Sequence, residues 1–459
     1  MTPPQRTEDR PLAALLAPDV LALLEESPQD VAAETEELHA RDLAVIAEAL
    51  EEDQMKLLLR VLPPARAADV LEYLDEELRT TLLEEMSTAQ AAQLVAEMTP
   101  DDRADVLEDL EEERADEILS EIPAEARRET ERLLAYEPDT AGGLMTTEFV
   151  AVPGSLTVEQ ALAQVRTLAR GRKEAMHAIY VVDDDGALRG VLSLRELLVA
   201  PEGVPLSEVA WTEVVAVPAS ADRERVAQLT SEYDLVAVPV VDERRRLLGV
   251  ITVDDVIDAI VEEQTEDVQR LGAVQPLESP YLQAGFWELL RKRGGWLVVL
   301  FIGEMFTGTA MRHFEDTLAK ALVLTTFIPL IISSGGNSGS QSATLVTRAL
   351  AVGDVELSDA FRIMRRELMQ GIFLGVFLGV IGFGRALMWG NGSDVAWVVA
   401  LTLLFVVVTG SIVGAMLPLV LTKVGFDPAI ASSPFVSSLV DVAGIVIYFT
   451  IAIELLGLG

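Results

Sequence analysis

The chain has 459 residues, with 74 acidic against 35 basic side chains, a formal net charge of −39, three histidines and no cysteine. That length calls for more than one core, and that charge argues against nucleic acid and anionic lipid headgroups as partners while attracting small cations. The missing thiols exclude disulfides and the few imidazoles disfavour zinc, which leaves carboxylate oxygens and the hard ions Mg²⁺, Ca²⁺ and Mn²⁺.

Up to about residue 285 the chain is crowded with Asp and Glu, and beyond it come long apolar runs. The acidic half is also rich in Leu, Val and Ile, so it is expected to fold rather than stay disordered. The first residues, MTPPQRTEDRPLAALL, lack a basic-then-apolar signal pattern, and residues 1–37 are expected to form an N-terminal segment that stays in the cytoplasm.

From 38 to 140 an apolar residue returns every twelve positions, at Leu38, Leu50, Leu62, Leu74, Met86, Met98, Leu110 and Ile122. Most units add an apolar pair eight and nine positions on, as in Val70 with Leu71, Leu82 with Leu83, and Val106 with Leu107. Pro63, Ser87, Thr99 with Pro100, and Pro123 start turns after the marker, which places a cap and a short helix in each unit. A helix of about nine residues cannot stand alone. Stacked units bury a continuous ridge, so the expectation is an all-α superhelix of short helical repeats.

Residues 141–200 and 201–260 repeat each other on a longer scale. Phe149-Val-Ala-Val-Pro153 returns as Val214-Val-Ala-Val-Pro218, Gly190-Val-Leu-Ser193 as Gly249-Val-Ile-Thr252, and Ala178-Ile-Tyr-Val-Val182 as Leu235-Val-Ala-Val-Pro-Val-Val241. This resembles a tandem pair of CBS domains, which implies an α/β module pair packed as one regulatory unit. In that family a Gly-apolar-x-Thr-x-x-Asp stretch contacts the ribose and phosphate of a nucleotide. Gly249, Thr252 and Asp255 match it, whereas the first copy departs with Ser193 and Glu196. The resemblance therefore confines ATP or another adenine nucleotide to the second copy.

Residues 253–285 read as a linking helix. Asp255, Asp258, Glu262 and Glu266, with Glu263 and Asp267 beside them, stand at three- and four-residue spacings where like charges repel. A divalent ion bridging this helix to acidic neighbours would remove the repulsion; the alternative is a solvated charged face.

From 286 to 459 the chain reads as a five-helix transmembrane domain, with apolar stretches centred near Val299, Ile331, Gly375, Val407 and Val446. With the first flank in the cytoplasm, Arg291, Lys292, Arg293, Arg348, Arg362, Arg365, Arg366 and Lys423 lie inside and Arg312, Lys320 and Arg385 outside, which obeys the positive-inside rule and puts the C-terminus outside. Glu304 and Asp441 fall within apolar spans, where a charge costs at least roughly 2.5–3.5 kcal/mol and needs a cation, a partner or water. Ser437 and Ser433 precede Asp441 by one and two turns, and Pro434 is expected to free a carbonyl, so oxygens line one face leading to the carboxylate. A conduction path and a helix-gluing hydrogen bond both remain open for Asp441. The run from Pro329 to Gln341 carries Gly335, Gly336 and Asn337 and is expected to break the second span, facing a cavity, packing closely on another helix, or both.

Taken together, the Pro-x5-Gly-Gly-Asn run, Pro418, Gly425-Phe-Asp-Pro428, Ser433-Pro-Phe435 and Asp441-Val-Ala-Gly-Ile-Val-Ile-Tyr448-Phe449 resemble the MgtE family of magnesium channels. The order of parts resembles it too. The resemblance implies a homodimer in the inner membrane, cytoplasmic N-terminal domains, and a central pore where Asp441 of both subunits holds a largely hydrated Mg²⁺. It makes the linking helix a plug, with partners in Asp427, in Asp222, Glu224 and Asp234 of the second CBS copy, and in Asp69, Asp101 and Asp105 of the superhelix. Asp255 is claimed by both the ribose motif and the acidic cluster. Two rivals are a secondary transporter coupled to Na⁺ or H⁺, with Glu304 as carrier, and a membrane-anchored nucleotide sensor. No nucleophile, general-base pair or phosphate-cradling loop is recognisable, so an enzyme is not expected.

Overall fold

The computed structural model describes residues 12–168, 178–277, 281–282 and 284–458. The chain divides into two compact units, Met1–Ile260 and Val261–Gly459.

In the first unit, helices begin at Ala40, Glu52, Pro64, Glu76, Thr88, Pro100, Glu112 and Ala124, each twelve residues after the last. The twelve-residue markers sit in the breaks: Leu62, Met86, Met98 and Ile122 take extended backbone where a helix stops. Pro63, Ser87, Thr99 and Pro123 then open the next one. Helices pack on the one two units along, Ala40–Glu48 on Pro64–Glu72, then Thr88–Glu97, then Glu112–Glu121, burying the apolar pairs at 70 and 71, 82 and 83, and 106 and 107. Arginines hold the stack by donating to carbonyls orphaned at helix ends. Arg66 Nη2 reaches Leu38 O at 2.7 Å, Arg103 Nη2 reaches Met98 O at 2.8 Å, and Arg114 Nη2 bonds Leu83 O at 2.8 Å and Met86 O. A further helix, Leu12–Glu26, adds Val20 and Leu24 to this core, which the repeat did not foretell.

The two α/β modules each carry a three-stranded sheet. β1 (Val150–Pro153) lies parallel to β2 (Ile179–Val182), which lies antiparallel to β3 (Leu188–Leu192); β4 (Val217–Pro218), β5 (Ala237–Val241) and β6 (Leu247–Thr252) repeat the order. Both copies shift register at the same place, between Val181 and Val182 and between Val240 and Val241. Leu188 N donates to Arg245 O at 2.8 Å and Tyr180, Leu188, Val241 and Val250 share a core, so the modules are joined through their sheets. β6 runs directly into the linking helix, Val253–Leu271.

Five helices in the second unit are long and apolar enough to cross a membrane. The first span is Phe286–His313, the second Ile328–Ala351, the third Ala360–Met388, the fourth Gly392–Lys423 and the fifth Ser433–Leu456. The second packs on the fourth and fifth, the third on the fourth, and the first chiefly on the fifth. The expected break at the glycines does not occur: the second span is helical throughout, because two of its small residues let a neighbouring backbone approach. A Cβ added to Gly410 would overlap the Gly335 carbonyl oxygen, and one added to Gly414 that of Gly339. Close packing outweighs the roughly 1 kcal/mol that glycine costs inside a helix.

Gly414→Ala is therefore expected to destabilise the detergent-solubilised protein by roughly 1–3 kcal/mol. Gly384→Ala, where an added Cβ would meet nothing within 4 Å, should leave the melting temperature unchanged or slightly raised. A thermal melt of the two variants beside the parent checks this; equal behaviour would contradict the helix seam.

Candidate ion pathway and acidic clusters

The second and fifth spans each present a polar stripe. On the second, Ser333, Asn337 and Gln341 recur every four residues on one exposed face of the helix, with Asn337 Nδ2 donating to Ser333 Oγ at 3.3 Å. On the fifth, Ser433, Ser437 and Asp441 recur the same way and are half-buried. The stripes adjoin: Ser340 Oγ bonds Ser433 O at 3.1 Å and lies 3.3 Å from Ser437 Oγ, and Gly336 packs on Ser437. Polar groups exposed at membrane depth require water or another chain.

Two expectations change in detail. Gly335 is buried against Val406 and Val440, so it serves helix packing, and the stripe is carried by Asn337 with its serine and glutamine neighbours. Pro434 stands in the first turn of the fifth span, where no intrahelical bond is lost, so it starts the helix rather than freeing a carbonyl inside it.

In the first unit, Asp101 and Asp102 on helix Pro100–Glu108 face Asp255 at the start of the linking helix, with Asp105 one turn further along the same helix. Asp101 is 6% exposed, burial pushes its carboxyl up, and its Oδ1 has no hydrogen-bonding partner among the described residues. Burial and then the Asp101 charge push Asp255 up to about 7, against the opposing hydrogen bond from the Thr252 hydroxyl. Burial and then Asp101 push Asp102 up to about 6. Asp105 moves the same way through lost hydration and then Asp101 and Asp102; its side chain stays open to water, which screens it, so the cluster's weight rests on Asp101 and Asp255. Asp69 borders the cluster beside Tyr73, whose phenol is raised by burial and then by Glu72, Asp102, Asp254 and Asp69.

Several expected ligands have other work. Asp222 caps helix Arg223–Tyr233 by accepting from Glu224 N at 2.8 Å, and Asp234 ends it in a left-handed turn at φ +51°; Glu224 and Asp258 are exposed. A side chain on Gly249 would strike the Thr146 carbonyl and Met145, so that glycine serves packing, and Asp255 is tied to Thr252 and the acidic cluster. A cleft of about 350 Å³ also opens beside the first module's sheet, lined by Gly154, Asp183 and Arg189 together with Ser207 and Thr212 of the stretch that follows.

At the end of the linking helix the acids meet a base. Arg270 bonds Asp427 Oδ2 at 2.7 Å and Glu266 Oε2 at 2.6 Å, while Asp427 Oδ1 accepts from Ala429 N at 2.7 Å. Asp267 is raised by burial, then by Asp427 and Glu263, partly offset by Arg270 and Arg348. Like charges at helical spacing suggested repulsion alone, and Arg270, one turn beyond Glu266, was the available signal of an ion pair. Glu367, directly after the arginines at 365 and 366, has no mark in the sequence that sets it apart, yet it is 7% exposed and accepts from Ser342 Oγ at 2.7 Å. Among the described residues no three acidic or imidazole groups form a ready-made metal cage. Open carboxylate pairs with an orphaned buried oxygen fit an ion that keeps several of its own waters, as Mg²⁺ does.

An acid whose folded pKa exceeds its unfolded value holds its proton more tightly in the native state. Its stabilisation is complete below about pH 4 and is lost as pH rises through the folded value, here about 6 for Asp102 and about 7 for Asp255. In chelator, a fragment ending at Gln275 should melt lower at about pH 8 than at about pH 6, and added Mg²⁺ should restore more at the higher pH. Asp255→Asn should flatten the dependence. Equal melting at both pH values would contradict the cluster.

Four stretches match known family profiles: residues 38–139 the MgtE intracellular N domain, 141–203 and 206–262 the CBS domain, and 328–451 the divalent cation transporter domain of MgtE. The chain is 42% identical over 326 residues to the magnesium transporter MgtE of Thermus thermophilus, covering 71% of this chain and 72% of that one. It is 34% identical over 332 residues to the magnesium transporter MgtE of Enterococcus faecalis, covering 72% of each. Among solved structures it resembles the soluble part of a magnesium transporter (TM-score 0.52, 33% identity, 55% of this chain and 99% of that one). It also resembles the cytosolic domain of the Mg²⁺ channel MgtE in complex with ATP (TM-score 0.50, 38% identity, 54% of this chain and 99% of that one). By these matches the chain belongs to the MgtE family of divalent cation transporters.

Proposed function

We propose that this chain is a Mg²⁺ channel that imports the ion across the inner membrane as a homodimer and is closed by cytoplasmic Mg²⁺. The observation that carries the reading is Asp441, a half-buried carboxylate at membrane depth at the end of a serine stripe, adjoining the exposed polar face of the second span. The magnesium transporters of the family give the cargo its name. Asp441 holds the ion through its water shell, since Mg²⁺ surrenders water reluctantly, and the exposed polar faces meet a second copy across a wet lumen. The N-terminal domains lie in the cytoplasm and the C-terminus outside.

Closure follows from the acidic sites. When Mg²⁺ is abundant it occupies the neighbourhood of Asp69, Asp101, Asp105 and Asp255, and the acids Asp258, Glu263, Glu266 and Asp267 with Asp427, so that the linking helix seats as a plug. When Mg²⁺ falls, repulsion loosens it. Several weak sites acting on one equilibrium reach the about 5.5 kcal/mol that a nearly complete switch requires. Asp222, Glu224 and Asp234 contribute charge to the same field. The relative solved with ATP supports an adenine nucleotide at the module pair, with the first module's cleft as the candidate site.

Asp441→Ala is expected to yield a folded protein with no Mg²⁺ flux in proteoliposomes, and normal uptake would remove Asp441 from the pore. The linker between Ile260 and Gln275 is expected to resist protease at millimolar Mg²⁺ and to be cut in chelator at matched ionic strength. Neutralising Asp258, Glu263 and Asp267 together should abolish that Mg²⁺ dependence. Equal cleavage of the parent in both conditions would return these acids to a solvated face.

A further inference from the structure

The first span packs chiefly on the fifth, and three contacts define how the two helices align. Trp296 lies edge-on to Phe435 at 6.3 Å, Gly303 stands against Ser438 with 3.4 Å to an added Cβ, and Phe314 stacks on Phe449 at 5.0 Å. The helices therefore run side by side in the same direction, which brings Glu304 level with Asp441, the two acids close enough for each to feel the other's charge. Glu304 is exposed and Asp441 half-buried, so an ion could reach both from outside the single chain.

One turn beyond Glu304 stands Thr307, 6% exposed and the one buried side chain of the first span among the described residues. Thr309, Thr409 and Thr450 each give their hydroxyl to the carbonyl four residues back, at 2.7–2.8 Å. Thr307 does not, and its Oγ1 has no partner among the described residues. Four residues past Gly303, which stands against Ser438, it shares the face of the first span that meets the fifth. No Lys or Arg lies between residues 294 and 311 or between 433 and 456, so neither acid has a basic partner on these helices. Two facing carboxylates without a base and a spare hydroxyl beside them make an oxygen-lined place for a cation.

We propose that Glu304 is a second carboxylate ligand of the permeating divalent cation, facing Asp441, with the Thr307 hydroxyl as a neutral oxygen at its side. This rests on the reading of Asp441 as the ion-holding group. A pair of acids in place of one strengthens the field for a divalent over a monovalent ion, so Glu304 helps to determine specificity.

The test is Mg²⁺ uptake by full-length protein in proteoliposomes, with external Mg²⁺ varied to give the half-saturating concentration. Glu304→Gln is expected to raise that concentration at least about tenfold, Thr307→Val to raise it by less, and Glu304→Asp to recover part of the loss. A purely structural Glu304 would alter folded yield and maximal flux but not half-saturation. Asp441→Asn distinguishes the two readings. If it abolishes uptake while Glu304→Gln keeps the parent's half-saturation, the role of Glu304 is overturned alone; if Asp441→Asn transports normally, the reading beneath it fails as well. Should Glu304→Gln not assemble on size exclusion, Glu304→Asp carries the test, and an unaltered half-saturation there overturns the proposal.

Discussion

A carboxylate drawn out of bulk water must find a proton, a hydrogen bond or a cation, and two carboxylates drawn together need it more. This constraint governs Asp101, buried with one oxygen unpaired; Asp255, raised to about 7 against it; Asp267 beside Asp427; and Asp441 facing Glu304. In each place the protein supplies oxygens without closing a cage around them. A strongly hydrated divalent ion suits such places, because it can bridge two acids while keeping most of its own shell. The same physical problem is thus posed by Glu304 and Asp441 among the spans and by Asp101 and Asp255 in the first unit.

The scaffold that holds these acids is made of short or slender parts. Helices of nine or ten residues would melt alone, yet stacking on the second neighbour and arginines that take up orphaned carbonyls give each one a place. Among the spans, Gly335 and Gly339 meet Gly410 and Gly414 at distances no side chain permits. That seam positions the second span so that its glycines face inward and Ser333, Asn337 and Gln341 face outward. Buried Glu367, bonded by Ser342, ties the third span to the second.

Arg270 shows how the linking helix can be both charged and seated. Its guanidinium engages Asp427 and Glu266 together, so part of the repulsion among the linker acids is already neutralised. Asp267 stays raised by burial and by its neighbours Asp427 and Glu263, partly offset by the same guanidinium.

Periodicity alone determined the twelve-residue helical stack, the duplicated modules and the five spans, because repeat length and run length follow directly from the geometry of helix, strand and bilayer. The isolated acids of the spans, Glu304 and Asp441, were legible for the same reason, since a charge in an apolar run has no local excuse. Which groups meet was not legible. That Gly335 would pack rather than line a lumen, that the second span would stay helical through its glycines, and that Gly249 would serve a backbone contact all depend on a neighbour distant in sequence. Arg270 with Asp427, 157 positions apart, and Glu304 with Asp441 likewise became pairs only when helices were laid side by side, because a side chain's partner is chosen by packing and not by its spacing along the chain.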